Sequence, residues 1–89
     1  MRSKPRSRLK IIADILDIIE RSEGGIKITA LATKSNVPYA KLTSEFLAEL
    51  LKKQLIENCA GNYKITIKGA AFLAEYRKLE NFMRDLGLA

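Results

Sequence analysis

The sequence predicts a mostly α-helical domain carrying one β-hairpin and a long terminal helix. Three observations support this fold class. Apolar residues recur at helical spacing over residues 9–19 and again over 42–51. The pattern then switches to strand-like alternation around "AGN" at residues 60–62. Beyond it, Phe72, Tyr76, Leu79, Met83 and Leu86 step by 4, 3, 4 and 3, the a/d seam of a coiled coil.

The elements follow in order. Residues 1–7 form a polar, proline-broken arm, expected to be mobile. In "SRLKIIADILDIIERSEGG" the apolar side chains from Leu9 to Ile19 cover an arc of about 220°, wider than one packing partner requires. Lys10, Asp14, Asp17 and Arg21 take the other side, and Gly24-Gly25 stops the helix. "KITALATKSN" predicts a short helix with Thr29 as N-cap and Leu31 and Ala32 facing inward. Asn36-Val37-Pro38 reads as a turn, with Pro38 suited to the first position of the next helix. Leu42, Phe46, Leu47, Leu50 and Leu51 make that helix's buried stripe. In "QLIENCAGNYKITI", Leu55, Glu57 and Cys59, then Tyr63, Ile65 and Ile67, alternate about a hairpin turn. Thr66 or Lys68 opens the last helix, which ends near Gly87. The organisation is thus a basic arm (1–7), a central domain (8–69) and a terminal helix (70–89).

Composition bounds the function. At 89 residues the chain supports a single domain, one that buries only about 60–65% of its unfolded surface. The net charge of +6 is unevenly placed. Residues 1–10 hold Arg2, Lys4, Arg6, Arg8 and Lys10 without an acid, and Gly24 to Ser44 hold Lys27, Lys34 and Lys41 without one. The other eight basic residues face ten acidic ones, so the excess lies in those two stretches and points to a polyanionic partner. A single cysteine and no histidine exclude disulfide scaffolds and zinc sites within one chain. Cys59 reads as a small apolar strand residue in a reducing compartment. No apolar run approaches the ~20 residues of a membrane span. The basic, serine-containing start hints at a transit peptide, but Asp14, Asp17 and Glu20 follow at once. With no histidine, no Gly-rich phosphate loop and no nucleophile–base pair, catalysis is the poorest reading. No cofactor or small-molecule ligand is evident.

Two helices joined by a tight turn and followed by a two-stranded hairpin resemble the winged helix-turn-helix superfamily over roughly residues 8–70. The resemblance is carried by Leu31-Ala32 on the first motif helix, Val37 in the turn and Leu42 on the second helix. Leu47-x-x-Leu50 running into Leu55-Ile56, then Tyr63-x-Ile65-Thr66-x-Lys68-Gly69, complete it. With its appended helix the whole is similar to archaeal single-domain winged-helix proteins. These include ten-kilodalton chromatin-type proteins that dimerise through a C-terminal helix. The family usually has glycine before the Leu-Ile pair, where this chain has Gln54, which leaves open whether the same left-handed helix end forms here.

The resemblance implies a dimeric, double-stranded-DNA-binding regulator or architectural protein, cytoplasmic and nucleoid-associated. In such a motif the second helix enters the major groove N-terminus first. Tyr39, Lys41 and Ser44 therefore become candidates for base edges and phosphates, and Lys52 for phosphate further along. Ala48 is small enough to approach a thymine methyl, while Glu45 and Glu49 border that face. Lys34 and Ser35, before the turn, and Asn62 and Lys64, in the wing, are further candidates for DNA contact. Arg2, Lys4, Arg6 and Arg8 suit a minor-groove or backbone contact by the arm, or else a solubility tail. Tyr39 fits equally a cover over the core edge. Ile11, Ile18 and the seam Phe72, Tyr76, Leu79, Met83 and Leu86 are candidates for a homodimer core, unless the last helix folds back on its own domain. A protein-contact module and an RNA-binding winged helix are the rival readings.

Overall fold

The computed structural model describes residues 6–88. Helix α1 (Arg8–Arg21) starts at Ser7, an extended N-cap whose hydroxyl accepts from the Lys10 amide at 3.1 Å. Its Ala13, Ile15, Leu16 and Ile19 are buried, and Ser22 ends it by donating its hydroxyl to Ile18 O. Gly25 then makes a close approach at φ +95°: a Cβ there would lie 2.9 Å from that of Asn62. That contact seats strand β1 (Ile26–Lys27), too short to leave a periodic signal in the sequence.

Helix α2 (Ile28–Ser35) is capped at Lys27 without a side-chain bond, so Thr29 lies inside the helix and is not its N-cap. Its hydroxyl comes two residues too late, because β1 pairing already fixes Lys27 as extended. Leu31 is buried, and Asn36 turns the chain in the left-handed region (φ 58°, ψ 40°). The Val37 amide then reaches back to Ala32 O at 3.2 Å, closing the helix end.

Helix α3 runs over residues 39–52. It opens as Tyr39–Lys41, widens to π pairing over Leu42–Leu47, and returns to α geometry over Ala48–Lys52. Hydroxyls accompany the widening. Thr43 Oγ1 lies 3.1 Å from Tyr39 O and 3.0 Å from Ala40 O, and Ser44 donates to Ala40 O at 2.8 Å. Such back-bonding competes with the amide ladder and bends helices. Leu42, Phe46, Leu47 and Leu50 are buried as the stripe predicted, whereas Leu51 is 37% exposed.

The helix ends with Gln54 itself at φ +61°. The amides of Lys53, Gln54 and Leu55 return to Glu49 O, Leu51 O and Leu50 O. The left-handed helix end therefore forms without glycine, strained by a Cβ.

Strands β2 (Ile56–Cys59) and β3 (Asn62–Ile65) pair antiparallel, with Cys59 opposite Asn62 across Ala60-Gly61. Both turn residues have positive φ (53° and 89°), the geometry whose twist matches a two-residue hairpin. β1 joins the free edge of β3, giving the sheet order β1-β3-β2. The expected alternation stops at Ile65. Ile67 is the first helical residue and 92% exposed, because the Thr66 amide bonds to Leu55 O and diverts the chain.

Helix α4 (Ile67–Asp85) has Thr66 as N-cap. The Thr66 hydroxyl accepts from the Gly69 amide at 3.0 Å and donates to Gln54 O at 2.7 Å. Gly69 is buried, and a Cβ there would stand 2.0 Å from Leu55 O. "T-x-K-G" is thus a cap plus a backbone crossing that only glycine fits. Leu73 anchors α4 in the core that α1, α2 and α3 close. Beyond it the helix runs on to Leu86, and Gly87 turns at φ +76°.

Candidate nucleic-acid interface

The N-terminal half of α3 stands on the surface behind the Asn36–Pro38 turn. Tyr39 is 54% exposed, so it is no cover over the core edge, and Lys41, Ser44, Glu45, Ala48 and Lys52 are exposed with it. Ser44, Ala48 and Lys52 recur every four residues on the exposed side of α3, with Lys41 preceding them and Glu45 beside them. Glu49 is half-buried and engaged by Lys53 at 3.4 Å, which leaves Lys52 outside that pair.

The acidic groups of α1 are paired away from this face. Arg6 and Lys10 meet Asp14 at 2.9 and 3.2 Å, and Arg21 meets Asp17 at 2.7 Å. Arg77 of α4 bonds both Asp17 and Glu20, and Lys10 reaches Glu80 at 3.5 Å. Hydrogen bonding to Asp14 raises the Lys10 pKa above its ordinary value against opposing burial. The bond to Asp17 likewise raises Arg77. Burial, then the Glu80 charge, raises the Tyr76 phenol. These exposed pairs add little stability individually. Their consequence is spatial, since the acids of α1 are taken up between α1 and α4.

The matching family model covers residues 5–84 and describes a winged helix-turn-helix. The chain belongs to the winged helix-turn-helix family. No curated protein matches it in sequence. In this winged helix-turn-helix, α2 and α3 are the motif helices, and β2-β3 is the wing.

The structure brings some of the expected residues together and separates others. Arg6 is tied down: besides Asp14, its guanidinium donates to Ser35 O at 3.0 Å and Asn36 O at 3.3 Å, clamping α1 to the end of α2. Arg8 lies 4.9 Å over the Phe46 ring and donates to Glu45 O at 3.1 Å. Arg2 and Lys4 lie outside the described residues. Ser35 corrects an expectation, being only 2% exposed with its hydroxyl spent on Leu31 O at 2.7 Å. Lys34 is exposed beside it and lines a shallow groove with Ile18, Arg21 and Ser22.

On the wing, the register puts Asn62 and Lys64 on one sheet face with Lys27 opposite Asn62. Lys27 and Lys64 are exposed and Asn62 is half-buried. Sequence reasoning did not assign Lys27 because β1 carries no pattern of its own. Glu57 pairs opposite Lys64 and tempers the charge there. Cys59 is half-buried on the same face.

The candidates for self-association divide. Ile11 and Ile18 are half-buried against the chain's own core, so the wide arc of α1 is used by α2, α4 and β3. Phe72 and Tyr76 also pack there. Leu79 and Leu86 are 51% and 57% exposed, and Phe82, off the strict seam, is 61% exposed. Met83 is partly exposed between them. The first half of α4 therefore folds onto its own domain, and the second half projects an apolar strip. Among the described residues no helix is long and apolar enough to cross a membrane, and no cluster of metal-binding side chains occurs.

Proposed function

We propose that this winged helix-turn-helix protein binds duplex DNA through α3. The observation that carries the reading is the exposed tip of α3, where Tyr39, Lys41 and Ser44 stand together while the acids of α1 are paired elsewhere. The tip enters a major groove. Lys41 and Lys52 meet phosphate or guanine, Tyr39 donates to a phosphate, and Ala48 lies against base methyls. Lys64 of the wing and Lys27 of the adjoining strand β1 sit over the neighbouring backbone. Arg2 and Lys4 extend the contact along the duplex.

The exposed strip of Leu79, Phe82, Met83 and Leu86 supports a homodimer through the outer half of α4. Two motifs on one α4 pair would present two half-sites. The protein then serves as a transcriptional regulator if it prefers a sequence, and as an architectural protein if it does not. A protein-contact module would need an apolar face on α3, and that face is polar and basic.

Duplex binding titrated against salt tests the reading. About six neutralised phosphates give a log–log slope of about −5. A structured RNA preferred over duplex DNA at every salt concentration would instead favour the RNA-binding alternative.

A further inference from the structure

The reading face of α3 has an unusual hydrogen-bond inventory. Ser44 is exposed, yet its one hydroxyl proton goes to Ala40 O at 2.8 Å. Its oxygen turns only lone pairs outward. The neighbouring Thr43 proton is spent in the same way, on Tyr39 O or Ala40 O. Glu45, the next exposed side chain, is acceptor-only as a carboxylate.

Arg8 stands beside that residue. Its guanidinium lies over Phe46, donates to Glu45 O, and stands 4.0 Å from Glu45 Oε1. The opposite charge beside Glu45 softens the repulsion that an acid on this face would bring to phosphates. The middle of the face therefore offers acceptors, with lysine donors only at its ends, at Lys41 and Lys52.

In the major groove adenine N6 and cytosine N4 are donors, while guanine O6 and thymine O4 are acceptors. We propose that Ser44, with Glu45 beside it, makes this protein select amino bases (adenine or cytosine) over keto bases (guanine or thymine) on the strand it faces. The inference rests on α3 binding duplex DNA. Ser44 is the specificity-determining residue.

The test is selection of the full chain on a randomised duplex library, for wild type and Ser44→Ala. Melting curves confirm that the variant folds, since its side chain is exposed. Wild type is expected to enrich adenine and cytosine together at one position, and Ser44→Ala to lose that enrichment. On the selected duplex, deleting the amine (purine for adenine, 2-pyrimidinone for cytosine) should weaken wild type about fivefold, one neutral hydrogen bond. The same deletion should leave Ser44→Ala unchanged. Duplex binding without an amino-over-keto position, or with one that survives Ser44→Ala, overturns the inference and leaves DNA binding standing. Absence of any duplex binding overturns the functional reading and the inference with it.

Discussion

Gln54→Gly should stabilise this protein although it removes a side chain. Gln54 sits at φ +61°, where a Cβ crowds the following carbonyl at a cost of about 1–2 kcal/mol. Its side chain is exposed, and its structural bonds run through the backbone: the amide to Leu51 O, and the carbonyl accepting from Thr66 Oγ1. Glycine keeps both bonds and relieves the strain. Against this stands the larger backbone entropy that glycine loses on folding, about 0.5–1 kcal/mol. The net gain is about 0.5–1 kcal/mol, which for a domain of this size raises Tm by about 3–6 °C. Thermal melts at fixed protein concentration measure it, the concentration being held because self-association would shift Tm. Gln54→Ala is the control, as it keeps the Cβ and should gain nothing. A Tm for Gln54→Gly equal to or below wild type, or an equal gain from Gln54→Ala, would refute the strain argument.

Gly69→Ala should cost several kcal/mol, because its Cβ would stand 2.0 Å from Leu55 O and backbone must move; urea unfolding checks it, and a loss below about 1 kcal/mol would deny the close crossing. Leu79→Asp and Phe82→Asp should abolish the proposed dimer while leaving the fold, since both side chains are exposed in the isolated chain. Light scattering that shows a wild-type monomer at micromolar concentration would remove the dimer from the reading.

The sequence was legible where one element repeats its own period. The stripe of α1, the stripe of α3 as far as Leu50, and the "AGN" turn all follow from local spacing, and each occurs where expected. What was not legible depends on partners distant in the chain. β1 exists only because β3 offers an edge, and so Lys27 joined the wing unannounced. Thr29 resembled a cap until that same pairing fixed Lys27 as the extended residue. Arg6 and Arg8 read as free arm charges, because nothing local shows that Asp14, the end of α2 and the Phe46 ring lie within their reach. Ser35 read as a DNA contact before the turn, but a hydroxyl that returns to Leu31 O can be buried at little cost. At Gln54 the backbone kept a conformation that its side chain disfavours, since the amides of Lys53, Gln54 and Leu55 and the Thr66 hydroxyl all hold it.

In the proposed reading α3 meets duplex DNA through its exposed basic residues. The most direct measurement is duplex affinity against salt for wild type, Lys41→Gln and Lys52→Gln. Wild type should give a log–log slope of about −5, and each variant should flatten it by about 1. The Lys52→Gln loss should be uniform across duplex sequences, as befits a phosphate contact. A wild-type slope near zero, or slopes for both variants equal to wild type, would contradict binding through this face.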